Sequence, residues 1–178
     1  MEQLRLRVRI VQRPPSDERD EVEPLIELAR AALRARAGGG AGVIVRPERY
    51  DLVDLAGIGR VPLPYFVAGL SRSTTEGAGP VLAVGVVGRF LARRRGQDPL
   101  PVAVAFLEWP DCRWTMWQVL VDASGDEVQD TEIRRSARDG DALPDGLGRW
   151  WSLGRRTRAV VTFGPSVRPF QQSSDVVH

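Results

Sequence analysis

Leu4, Leu6, Val8 and Ile10 alternate with Arg5, Arg7 and Arg9 at the start of the chain. A period of two predicts a half-buried strand with one apolar and one guanidinium face. Behind the turn-forming Arg13-Pro14-Pro15-Ser16 lies an acidic run from Asp17 to Glu23, followed by Pro24. Acids suit a helix N-terminus because its unsatisfied N–H groups carry partial positive charge, and proline is tolerated in the first turn. Val22, Ile26, Ala29 and Leu33 then recur at helical spacing, with Leu25 and Ala32 widening the stripe. The pattern predicts a long amphipathic helix, ended by Gly38-Gly39-Gly40.

Further on, Val43 to Arg46 reads as a short strand stopped by Pro47, and Leu63 to Leu70 as another. Ser71 to Pro80 is a loop. Val81 to Leu91 reads as a buried strand, since valines dominate and Gly85 and Gly88 would each weaken a helix by about 1 kcal/mol. Val102 to Trp109 and Trp114 to Val121 flank Pro110-Asp111-Cys112-Arg113, a proline-aspartate connection that predicts a hairpin. Ala123-Ser124-Gly125 turns into a polar strand over Glu127 to Arg134. Pro144 to Leu153 suggests a short helix and Ala159 to Phe163 a last strand. The expected fold is therefore α+β, an N-terminal strand and long amphipathic helix packed on a mainly antiparallel sheet. One domain over residues 1–163 and an irregular tail over 164–178 complete it.

Composition narrows the chemistry. All 25 basic residues are arginine, so a phosphate-binding Walker loop and a pyridoxal Schiff base lack their lysine. The one histidine, His178, is the last residue of this sequence, a poor place for packing to hold an imidazole as a catalytic base. A single cysteine, Cys112, excludes an intrachain disulfide and a thiolate metal cage. No cofactor is expected. The N-terminus lacks the apolar core of a signal peptide, and the uncharged stretches Val61–Ser71 and Gly77–Gly88 are shorter than the roughly 18 residues of a spanning helix. A soluble, cytoplasmic protein with no membrane contact is expected, and its arginine-for-lysine usage reads as a bacterial-like, GC-rich coding bias. Charge is segregated: residues 99–133 hold one arginine and seven acids, residues 134–178 eight arginines and four acids. Internal pairing is the simpler expectation; a bipolar surface that meets a partner is the other.

Three kinds of site follow from these residues. Asp122, Ser124, Asp126 and Asp130 echo the spacing of a calcium loop, but Glu127 stands where the sharp turn wants glycine and Ile133 where a bidentate glutamate should close the cage. A hairpin turn is the simpler reading. Gly69-Leu70-Ser71-Arg72-Ser73 resembles a nucleophile elbow without its last glycine, and no internal histidine serves it. Carboxylates such as Glu108 and Asp111 leave a metal-dependent hydrolase as one alternative. Arg5, Arg7 and Arg9, the run Arg93, Arg94 and Arg95, and Arg155, Arg156 and Arg158 leave a nucleic-acid binder as another, if they converge beside Trp114 or Trp117.

The tryptophans carry the leading expectation. Trp109, Trp114 and Trp117 sit in or beside one hairpin with Met116, and Trp150 and Trp151 are adjacent. On a strand, Trp114 and Met116 face one side and Trp117 the other, so either both sides are covered or one awaits a partner. Tryptophan, methionine and arginine are enriched at interface hot spots. The reading is a non-catalytic protein-binding or adaptor module acting through this aromatic surface, with a protein partner or a second copy of the chain. As interface groups, Trp114 and Trp117 could be truncated with the fold intact; as core groups they could not.

Overall fold

The computed structural model describes residues 7–15, 21–36, 39–56, 63–73, 78–92 and 96–137. Among the described residues seven strands form one sheet: β1 (Val8–Gln12), β2 (Gly40–Val45), β3 (Arg49–Asp54), β4 (Ala83–Ala92), β5 (Leu100–Glu108), β6 (Trp114–Leu120) and β7 (Ile133–Ala137). Their order is β1-β3-β2-β4-β5-β6-β7, and every neighbouring pair is antiparallel. Two helices, α1 (Glu23–Arg34) and α2 (Leu63–Leu70), connect β1 to β2 and β3 to β4. The α+β class and the antiparallel sheet agree with the expected architecture. None of the described helices is long and apolar enough to cross a membrane.

The sheet buries both faces. Tyr50, Leu52, Val43, Val45, Leu107, Trp117 and Val119 point to one side, where Leu25, Ile26, Ala29 and Leu33 of α1 cover them. Ile44, Val53, Val84, Val86, Phe106, Trp114 and Met116 point to the other, with Phe66, Val67 and Leu70 of α2. Alternation of side chains along each strand makes this division, and it explains why β4 and β5 read as unbroken apolar runs. Gly42 gives α2 its seat: a Cβ there would meet Leu70 Cδ1 at 2.7 Å.

Four expectations change. Leu63–Leu70 is a helix, not a strand; its window is apolar on every side, so periodicity could not separate the two, and Pro64 sits in its first turn. β3 was not anticipated. Its Asp51 points into the protein to meet Arg46, and this buried acid disguises the strand. The helix after β1 starts only at Glu23 and has 12 residues, about 18 Å, which is ordinary rather than long. The last polar strand starts at Ile133 instead of Glu127, because the chain first closes a tight turn in which Asp122 and Asp126 pair. The expected helix Pro144–Leu153, strand Ala159–Phe163, tail and domain boundary lie outside the described residues.

Internal pairing accounts for part of the acidic segment's charge. Arg30 of α1 reaches Glu127 at 2.9 Å and Glu132 at 3.2 Å, while its guanidinium lies 5.2 Å from the Trp117 ring centroid. Arg134 joins Glu132 and Glu23, both at 2.6 Å. The Arg134 hydrogen bond, its charge and that of Arg30 hold the Glu132 carboxyl below the usual range, against the opposing effect of burial. α1 is thus fastened to the acidic segment it crosses.

Candidate functional site

The β5–β6 hairpin offers less surface than its sequence suggests. Trp117 is fully buried under α1, and Trp114 and Met116 are buried on the opposite face, where Trp114 stacks near Phe106 with centroids 6.1 Å apart. These three side chains belong to the two cores, and a partner does not reach them without opening the sheet. Trp109 alone of the described tryptophans is half-buried, at the tip, with Arg113 5.5 Å from its ring centroid. Arg113 also pairs with Asp111 at 2.6 Å, and Cys112 beside it is exposed. Trp150 and Trp151 lie outside the described residues.

The aspartates of the following turn serve the backbone. Asp122 Oδ1 accepts the Asp126 N–H at 3.0 Å, and the Asp122 carbonyl accepts that of Gly125, whose φ of +92° suits glycine. Among the described residues no three His, Cys, Asp or Glu side chains are grouped to hold a metal ion; Asp122, Ser124, Asp126 and Asp130 form no such cage. Ser71 follows the end of α2 and donates to the Ala68 carbonyl at 2.7 Å. A nucleophile elbow requires a strand before the serine, and here a helix stands in its place.

Near the β2–β3 turn, sequence reasoning missed a buried ionic cluster. Arg46, 1% exposed, donates from Nε to Asp51 Oδ2 at 2.7 Å, from Nη1 to the Gly79 carbonyl at 2.6 Å and from Nη2 to Ser73 Oγ at 3.2 Å. Arg49 pairs with the other oxygen of Asp51 at 2.9 Å, and Arg13 pairs with buried Glu21. One guanidinium thereby ties the α2–β4 connection to a hairpin. No motif announces it, since Arg46 and Asp51 look like ordinary turn residues.

Next to Asp51 but on the opposite, α1-facing side of β3, Tyr50 has a fully buried hydroxyl with no hydrogen-bond partner among the described residues. Burial pushes its pKa up, and neighbouring Arg13 pulls the other way. The folded pKa lies above the unfolded value near 10, so the folded state holds this proton more tightly. Its contribution to stability is complete below pH 10 and is lost as pH rises through the folded pKa. Tyr50→Phe removes a buried hydroxyl with no well-formed hydrogen bond among the described residues, so urea unfolding at pH 7 should change by less than about 1 kcal/mol. Above about pH 10 the variant should lose stability less steeply than the parent.

A cleft lies under the C-terminal half of α1. Arg9 is paired in register with Leu52 and Arg7 follows at Asp54, so both arginines stand on the α1 face of β1. Both are exposed, and neither side chain has a hydrogen-bond or ion-pair partner among the described residues. They border this cleft of about 320 Å³ floored by Leu28, Ala32, Ala41, Leu52 and Val87. Gly39, Gly40 and Gly88 form its wall at the start of β2. Gly88 has φ +122°, and a Cβ there would lie 2.9 Å from Gly40 Cα, so only glycine lets β2 and β4 meet this closely. Of the other arginines singled out from the sequence, Arg5, Arg93, Arg94, Arg95, Arg155, Arg156 and Arg158 lie outside the described residues. Since Trp114 and Trp117 are buried, neither ring forms a stacking platform beside Arg7 and Arg9.

Comparison of the chain with protein-family models, curated proteins and solved structures finds no match.

Proposed function

We propose that this chain is a non-catalytic binding module that takes an anionic ligand in the cleft beneath α1. One observation carries the reading: two exposed guanidiniums, without partners among the described residues, stand on one strand face over an apolar floor. An apolar concavity with a few convergent polar groups is the usual form of a ligand site. Guanidinium adds a planar fork matched to carboxylate and phosphate oxygens. The described carboxylates singled out for catalysis or metal binding support the reading as well. Asp111 pairs with Arg113, Asp122 shapes a turn, and Glu108 is fully buried at the end of β5. The cleft is proposed ahead of the aromatic hairpin because Trp114, Met116 and Trp117 are buried in packing.

Anilinonaphthalene sulfonate, an apolar anion whose fluorescence rises in apolar surroundings, tests the location. Its saturable enhancement should persist in Trp109→Ala and disappear in Ala32→Phe, which fills the cleft from a half-buried position on α1. The opposite pattern would return the binding surface to the hairpin tip. Circular dichroism on both variants checks that the fold is retained.

A further inference from the structure

We infer that the ligand of this cleft is a small monocarboxylate with an unbranched apolar body, such as a medium-chain fatty acid. The inference rests on the binding-module reading above and adds its chemistry. At about 320 Å³ the cleft stands at the small end of ligand pockets, which run from about 300 to 1,000 Å³. A space of this size holds one short apolar chain. A folded protein partner would need roughly 800 Å² of contact on its own side.

Charge selects the head group. Arg7 and Arg9 are two residues apart on one strand, so their Cα atoms lie about 6.6 Å from each other and both guanidiniums can reach one carboxylate. Asp54 lines the same rim, with its Oδ1 accepting the Ala56 N–H at 2.9 Å. Among the described lining residues, two cations and one anion leave a single net positive charge. A monoanion balances it, while a polyphosphate would bring excess charge against Asp54. Below the rim, Leu28, Ala32, Leu52 and Val87 offer only carbon to the rest of the ligand. A carboxylate at the mouth and a hydrocarbon chain on the floor satisfy both halves.

Isothermal titration calorimetry on the full chain reads this out with octanoate, octanol, octylamine and a hexaglutamate peptide as probes. Octanoate should bind saturably and at least tenfold more tightly than octanol or octylamine. The Arg7→Gln/Arg9→Gln pair, both exposed positions, should weaken octanoate at least tenfold, and Ala32→Phe should abolish its binding. From hexanoate to octanoate, affinity should rise about fourfold per methylene, the equivalent of about 0.8 kcal/mol for each buried CH₂. Equal binding of octanoate and octanol that Ala32→Phe removes would overturn the carboxylate while leaving a ligand cleft. Hexaglutamate binding that depends on Arg7 and Arg9, without octanoate binding, would overturn the small ligand and favour an acidic protein segment. Absence of binding by every probe would overturn both the carboxylate and the cleft.

Discussion

Arg46→Met should lower the free energy of unfolding by about 3 kcal/mol or more, measured by urea denaturation at neutral pH. The guanidinium is 1% exposed and makes its contacts to Asp51, Ser73 and the Gly79 carbonyl away from water. Methionine fills comparable volume and replaces none of these donors. Asp51 keeps Arg49 as a partner but loses its shortest contact, 2.7 Å to Arg46 against 2.9 Å to Arg49. A buried carboxylate stripped of part of its compensation retains its desolvation cost, which is why breaking such pairs is expensive. Adding Asp51→Leu to Arg46→Met should recover part of the loss, since the uncompensated charge is then gone as well. A loss under about 0.5 kcal/mol for Arg46→Met would mean that the cluster is hydrated and contributes little.

Trp117→Ala should cost about 3–5 kcal/mol, the range for truncating a buried aromatic side chain. The ring is fully buried between α1 and the strands, and its removal leaves the largest void that one substitution can open in that core. It also removes the surface on which Arg30 rests while Arg30 holds Glu127 and Glu132. Small domains have only about 5–15 kcal/mol of stability in total, so the variant should unfold at markedly lower temperature or denaturant. Trp117→Phe, which keeps an aromatic ring in place, should cost less. Retained stability in Trp117→Ala, with loss of a complex instead, would return the residue to the interface role that its sequence context suggested.

How much of this was visible in the chain depended on the kind of pattern involved. The alternation of Val8 and Ile10 with Arg9 marked a strand, but it runs on to Gln12, Val11 shares the face of Arg9, and Leu4 and Leu6 lie outside the described residues. The valine-rich run of β4 and the hairpin of β5 and β6 were equally legible, since both carry strong turn signals at their ends. The segment from Leu63 to Leu70 lacked any polar residue to reveal a period, so its helix was hidden. β3 was hidden by a buried ion pair that only tertiary structure can justify. The tryptophan hairpin showed that both of its faces are apolar, but the choice between a covered face and an exposed one depends on α1 and α2. The cleft was the least visible feature. Arg7, Leu28, Asp54 and Val87 come from four separate elements, and no local spacing connects them.

A single nuclear magnetic resonance titration of the ¹⁵N-labelled chain with octanoate brings the functional reading to a decision. The backbone amides of Gly39, Gly40 and Gly88, which wall the cleft, should shift together and saturate at one affinity. The indole N–H signals of Trp109 and of the buried Trp114 and Trp117 should stay in place. Movement of the Trp109 indole with the three glycine amides unmoved would contradict the cleft and place recognition at the hairpin tip.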